Sequence, residues 1–102
     1  MSKQKWDNPD TNDLMKTILA LKNEAEAKDF FRDLLTEGEI IEFGNRWKAV
    51  QMRAEKEPYL EIQAKTGLSS TTVARVARWF KKGMGGYRRM LLRTKKHHTP
   101  SL

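Results

Sequence analysis

The sequence predicts an all-α protein of five to six helices that contains a helix-turn-helix. Apolar residues recur at intervals of three and four along most of the chain, as they do in helices with one buried face. The segment 61–83 has the composition of a helix, a tight turn at Gly67 and a second helix that Ser69 can cap. No segment makes a convincing strand, so we expect helices alone.

The N-terminal part is predicted to hold a flexible arm and two helical stretches. The arm covers residues 1–9, and the first helix is expected to run from there to about residue 24. The second stretch covers about 25–35, and the two can form one continuous helix because neither Gly nor Pro separates them. Three residues are candidate caps for the first helix: Asp10, Thr11 and Asn12.

A capping box is predicted to open the central helix. Thr36 and Glu39 have the spacing at which each side chain accepts a hydrogen bond from the other residue's backbone N–H. The helix is predicted to run to about residue 55 with an apolar stripe on one face. Pro58 is expected at the first position of the next helix, where its missing N–H costs little.

The helix-turn-helix, at about 58–81, meets the physical demands of that motif. Gly67 can adopt the positive φ that the turn requires, and Leu68 is expected to fill the core beside it. The second helix is predicted to turn four apolar residues inward: Val73, Val76, Ala77 and Phe80. Its outward face is short, polar or cationic, and comprises Ser70, Thr71, Ala74, Arg75, Arg78 and Lys82. A helix of this kind fits the major groove of DNA.

An ordinary helical hairpin is the alternative, since it can also have a Gly turn and an apolar inner face. We favour DNA binding because the cap chemistry is specific and the outward face holds no acidic residue. Gln63 departs from the common pattern, in which a small residue stands four positions before the turn glycine, and we expect it to face outward. The predicted DNA contacts are Gln63, Lys65, Ser69, Ser70, Thr71, Thr72, Arg75, Arg78, Lys81 and Lys82. Of these, Lys81 and Lys82 are expected on flanking phosphates, together with Arg88 and Arg89.

Glycines are expected to end the second helix of the motif shortly after Phe80. A last helix is predicted over about 87–94, which closes a helical domain of residues 10–94, and the basic segment 95–102 is predicted to be a disordered tail. The two adjacent histidines of that tail have no other ligands nearby, so we expect neither a metal nor another cofactor. No histidine stands beside the hydroxyls of 69–72, and an enzyme is not expected.

Composition and charge placement restrict the partners. The chain has 102 residues, no cysteine and no apolar run approaching the ~20 residues of a membrane span, so a single soluble, cytoplasmic domain is expected. Residues 1–45 contain six Lys/Arg and ten Asp/Glu, whereas residues 46–102 contain fourteen Lys/Arg and three Asp/Glu. No acidic residue follows Glu61, and this is the charge distribution expected of a protein that binds a polyanion. A basic solvated face without a partner is the alternative.

The apolar residues between Leu14 and Leu35 are too many for a domain of this size to bury. We therefore expect burial against a second copy of the chain. A homodimer would also place two recognition helices about one DNA turn apart, which suits a palindromic site.

Residues 33–50, DLLTEGEIIEFGNRWKAV, followed at a fixed spacing by the helix-turn-helix, resemble the bacterial tryptophan repressor. The chain is more similar still to the YerC/YecD group of Trp-repressor-related proteins, over about residues 10–94. The most specific parts are the Leu-Leu-Thr opening, the Phe-Gly-x-Arg in mid-helix and the Gly67 turn. The resemblance implies an intertwined homodimer whose N-terminal helices interlock.

The resemblance also implies a ligand position, because the repressor binds L-tryptophan between its central and recognition helices. Three residues match pocket positions of that family: Thr36, Arg46 and Arg75. Val76 stands where the repressor has a glycine, and Trp79 where it has a serine that helps to hold the amino group. We expect the Trp79 indole to fill the site from within, and tryptophan is not assigned as an effector.

These observations favour a dimeric, sequence-specific transcriptional regulator that binds double-stranded DNA. An amino-acid-responsive repressor is the first alternative, which a ligand response restored by Trp79→Ser would support. A basic adaptor that binds RNA or an acidic protein partner is the second. A membrane role for 87–96 has the least support, because that helix is short and lacks a broad apolar face.

Overall fold

The computed structural model of the protein describes residues 4–98, and the side-chain environments of residues 4–94. Within these residues six helices follow one another: α1 (Pro9–Leu19), α2 (Glu24–Leu34), α3 (Glu37–Ala54), α4 (Tyr59–Thr66), α5 (Ser70–Lys82) and α6 (Gly86–His98). No strand occurs within residues 4–98, which confirms the predicted all-α class. The chain divides into two compact units, Met1–Ile40 and Ile41–Leu102.

The first helix begins earlier than the sequence suggested. Asn8 is its N-cap, and Pro9 is the first helical residue rather than the end of an arm. The Asn8 side chain accepts a hydrogen bond from the Thr11 backbone N–H at 3.0 Å, and the Thr11 hydroxyl accepts one from the Asn8 N–H at 3.1 Å. The expected caps Asp10, Thr11 and Asn12 were therefore wrong, although Thr11 serves as the reciprocal partner of the cap.

The two N-terminal helices are separate, because the chain leaves the helix after Leu19 and Asn23 starts a new one. The Asn23 side chain accepts a hydrogen bond from the Glu26 N–H at 2.9 Å, and the Glu26 carboxylate accepts one from the Lys22 N–H at 2.9 Å. A local cap thus interrupts the helix where neither Gly nor Pro is present. Neither α1 nor α2 contains a buried residue.

The capping box that opens α3 is confirmed. Thr36 N–H donates to the Glu39 carboxylate at 2.9 Å, and Glu39 N–H donates to the Thr36 hydroxyl at 3.1 Å. The helix ends at Ala54, within one residue of its predicted end. Pro58 is the N-cap of α4 rather than its first helical residue.

The C-terminal unit has a small apolar core built from α3, α4, the turn and α5. Its buried members are Ala49, Val50, Met52, Ile62, Leu68, Val73 and Val76, and Trp47, Phe80, Tyr87 and Leu91 pack against them. The inward residues predicted for the helix-turn-helix are thus in or against this core, and Ala77 is buried as well. The core fixes α5 with one face inward and the other exposed.

The last helix is longer than expected, since α6 continues through residues 95–98. The predicted disordered tail therefore begins within a helix, and its residues 99–102 lie outside the described part of the chain. Among the described residues, no helix combines the length and the apolar character that a membrane crossing requires.

Candidate nucleic-acid interface

The turn between α4 and α5 has the geometry that the sequence predicted. Gly67 adopts φ 76°, and its N–H donates to the Gln63 carbonyl at 2.8 Å, which ends α4 in a left-handed cap. A side chain is strained in this conformation, whereas glycine is not. Leu68, directly after the turn, is buried in the core and sets the position at which α5 starts.

Ser69 is the N-cap of α5, as predicted. Its hydroxyl accepts a hydrogen bond from the Thr72 N–H at 3.1 Å and pairs with the Thr72 hydroxyl at 3.0 Å. Both hydroxyls therefore help to hold the first turn of α5. Ser70 and Thr71, by contrast, are exposed at the same end of the helix.

The two faces of α5 differ sharply in chemistry. Val73, Val76 and Ala77 are buried, with Val73 only 1% exposed. The exposed residues carry no acidic group and comprise Ser70, Thr71, Ala74, Arg75, Arg78, Trp79, Lys81 and Lys82. A helix held by one face and offering hydroxyls and cations on the other can reach base edges and phosphates together.

The two predicted contacts on α4 differ in their surroundings. Gln63 is half-buried, so it is not simply turned outward as expected. Lys65 is exposed and lies 3.8 Å from the Glu61 carboxylate and 3.9 Å from that of Glu57. These separations are long and solvent-exposed, so the pairing is weak and a phosphate could replace it.

The contacts of Arg88 were not predicted from the sequence. It was expected on a flanking phosphate, yet its guanidinium donates to the Phe80 carbonyl at 3.0 Å and to the Lys81 carbonyl at 2.9 Å. It also lies over the Phe80 ring, 5.7 Å from the ring centre. No helical periodicity signals such a contact, because it joins α6 to the end of α5 across the intervening glycines.

Three of the residues that matched a ligand pocket make contacts within their own unit. Thr36 belongs to the N-terminal unit and is used in the cap of α3. Arg46 donates to Glu42, one turn earlier in α3, at 3.2 Å and lies over the Phe43 ring. Trp79 is 51% exposed and lines an apolar groove in the C-terminal unit with Trp47, Gly83, Met84, Gly86, Tyr87 and Met90.

The described residues include no group of histidines or carboxylates arranged to hold a metal ion. All acidic residues of the C-terminal unit lie at or before Glu61, so α5 and α6 carry cations alone. The candidate interface is thus a positively charged surface formed by one end of α4 and the exposed face of α5.

This fold and surface define a helix-turn-helix protein with a cationic recognition helix. The chain belongs to the Trp repressor protein family, whose model matches residues 9–95. It is 36% identical over 88 residues to the uncharacterized protein YerC of Bacillus subtilis (strain 168), covering 86% of this chain and 85% of YerC. The family suggests a DNA-binding regulator rather than an enzyme.

Solved structures support the same fold. The crystal structure of a TrpR-like protein from Eubacterium eligens ATCC 27750 matches with a TM-score of 0.83 and 38% identity, covering 87% of this chain and 92% of that one. A second crystal structure, from Staphylococcus aureus, also has a TM-score of 0.83, with 32% identity over 90% of this chain and 94% of the other. The Trp-repressor-like fold of the chain, which the resemblance implied, is confirmed.

Proposed function

We propose that this protein is a sequence-specific DNA-binding regulator of transcription that acts in the cytoplasm as a homodimer, without tryptophan as corepressor. The observation that carries the proposal is the division of α5 into two faces. One face is buried in the core and the other is exposed, polar and cationic without a single acidic residue. A helix so held can enter the major groove in a fixed orientation.

The contacts are assigned by position along α5. Ser70 and Thr71 stand at its exposed N-terminal end, where hydroxyls and free backbone N–H groups suit phosphate or base edges. Arg75, one turn further, is the residue assigned to base reading, since a guanidinium can bond a guanine at two acceptors. Gln63, Lys65, Ser69, Thr72, Arg78, Lys81 and Lys82 surround it as the remaining predicted contacts.

The homodimer is supported by apolar surface that the chain leaves uncovered. Leu19 is 84% exposed, and the eleven-residue helices α1 and α2 have no buried residue of their own. Amphipathic helices are normally stabilised by burying one face, so a second copy is the natural cover. A two-fold assembly would also match a palindromic DNA site.

Independence from tryptophan is supported by Trp79. Its indole lines the groove beside Trp47 and Tyr87, at the position where the repressor has a serine. An amino-acid-responsive repressor is the second candidate, favoured by the aromatic lining of the same groove, which would suit a planar ligand.

A selection from random duplex DNA, carried out with and without L-tryptophan, tests the proposal. We expect an enriched palindrome whose affinity is the same in both conditions and falls as the salt concentration rises. Enrichment only with tryptophan would favour the amino-acid-responsive repressor. No enrichment, with tighter binding to single-stranded RNA, would contradict DNA reading and favour the adaptor.

A further inference from the structure

We propose that Arg88 is a positioning residue that fixes the C-terminal end of the recognition helix and so sets the alignment of α5 on DNA. This proposal rests on the proposed DNA-binding function. It assigns to Arg88 a role different from the phosphate contact that its charge alone would suggest.

The end of an α-helix leaves its last carbonyl groups without partners inside the helix. In α5 the first of these is satisfied by the backbone, since the Gly83 N–H donates to the Trp79 carbonyl at 2.8 Å. The next two are satisfied by Arg88, which donates to the Phe80 and Lys81 carbonyls. One side chain from the following helix thus caps two of the last carbonyls of α5.

The guanidinium suits this place for two further reasons. A cation at the C-terminal end of a helix is stabilised by the helix dipole. The same group lies over the ring of Phe80, which packs against the core, so the contact joins the exposed helix end to the buried interior. Two hydrogen bonds in a planar fork, together with a ring contact, hold α6 at one orientation to α5.

The segment between α5 and α6 explains why a side-chain contact is needed to fix their relative orientation. The segment from Gly83 to Gly86 contains three glycines, and Gly85 adopts φ 88°. A connection of this composition has few conformational restraints of its own. Lys81 and Lys82, both assigned to DNA phosphates, lie immediately before it and would move with a frayed helix end.

The experiment measures affinity for the selected duplex and for an unrelated duplex, at several salt concentrations, with wild type, Arg88→Ala, Arg88→Lys and Arg89→Ala. We expect Arg88→Ala to bind the selected duplex about tenfold more weakly, comparable to losing one well-placed base contact, with an unchanged salt slope. Arg88→Lys keeps the charge but not the planar fork of donors. Its preference for the selected duplex over the unrelated one should therefore fall as much as that of Arg88→Ala. Arg89→Ala should make the slope shallower by roughly 0.9 for one lost phosphate contact, with discrimination kept.

Two results would overturn the proposal: a shallower salt slope for Arg88→Ala, or full recovery of discrimination by Arg88→Lys. Either would make Arg88 a phosphate contact. Amide hydrogen exchange in the DNA-free protein provides a separate readout. We expect faster exchange of the Gly83 amide in Arg88→Ala and unchanged exchange in Arg89→Ala, and equal exchange in both would contradict the cap. If wild type selected no duplex, the proposed function would fail, while the exchange measurement would still decide the role of Arg88.

Discussion

The hydroxyl of Thr66 accepts a hydrogen bond from the backbone N–H of Leu68 at 3.2 Å, across the turn glycine. The same hydroxyl donates to the Ile62 carbonyl at 2.7 Å, one turn earlier in α4. Thr66 and Leu68 are both buried, so neither bond competes with water. A single buried hydroxyl therefore links the end of α4 to the residue that leads into α5.

Replacing Thr66 by Val keeps the shape of the side chain and removes this link. The buried Leu68 N–H would then lack its partner, which costs about 1–3 kcal/mol in the free energy of unfolding. Urea denaturation measures the change. Thr71→Val, at an exposed position of α5, is the matched control and should change stability by less than about 0.5 kcal/mol. Equal losses in the two variants would contradict the role given to Thr66.

A series at Gly67 separates backbone strain from crowding. A Cβ at this position would meet no atom within 4 Å, so only the positive φ opposes a side chain. We expect Gly67→Ala to lose about 1–2 kcal/mol of unfolding free energy, because an L-residue is strained in the left-handed region. Gly67→Asn should lose less, since asparagine tolerates this region. Thermal or urea unfolding gives the order, and an Asn variant less stable than the Ala variant would contradict the explanation.

The sequence predicted the turn and the third helix well because their determinants are local. Thr36 bonds with Glu39, and Ser69 with Thr72, each pair three residues apart, and the chemistry is readable from the residue types. Two helical stretches were predicted in the N-terminal part, but the sequence left their continuity open because neither Gly nor Pro separates them, although Asn23 and Glu26 have cap spacing. Arg88 could not be predicted, since its contacts depend on how α6 folds back after the glycines.

Arg75 offers the most direct test of base reading. The side chain is exposed on α5, so Arg75→Ala should leave the free energy of unfolding nearly unchanged. If Arg75 reads a guanine, binding to the selected duplex weakens by about 1–3 kcal/mol, and specificity relaxes at one base pair. Fluorescence anisotropy with duplexes substituted at each position measures both effects.

Lys16→Ala is the matched control for the Arg75 variant. Lys16 is exposed on α1 in the acidic half of the chain and is not among the proposed contacts, so its removal changes the net charge by the same amount without removing a proposed contact. We expect little change in DNA affinity. A uniform loss across all duplexes for Arg75→Ala, with a shallower salt dependence, would assign Arg75 to phosphate instead.

Trp79 determines the expected response to ligand. Isothermal titration calorimetry of wild type with L-tryptophan should show no binding at micromolar concentrations, because the Trp79 indole lines the groove at the position where the repressor has a serine. Trp79→Ser opens that groove and restores the residue type of the repressor, and we expect a measurable tryptophan response in DNA affinity. Micromolar binding by wild type would contradict independence from tryptophan.

The helices α1 and α2, which contain no fully buried residue, also have a consequence for regulation. Helices of eleven residues are marginal in water, so in the proposed homodimer their order would be supplied by the second copy. Folding and assembly are then one equilibrium governed by mass action, and the melting temperature should rise with protein concentration. The concentration of the chain in the cell would then set the amount of folded dimer that can bind DNA. Synthesis and degradation of the chain would thereby control its DNA-binding activity.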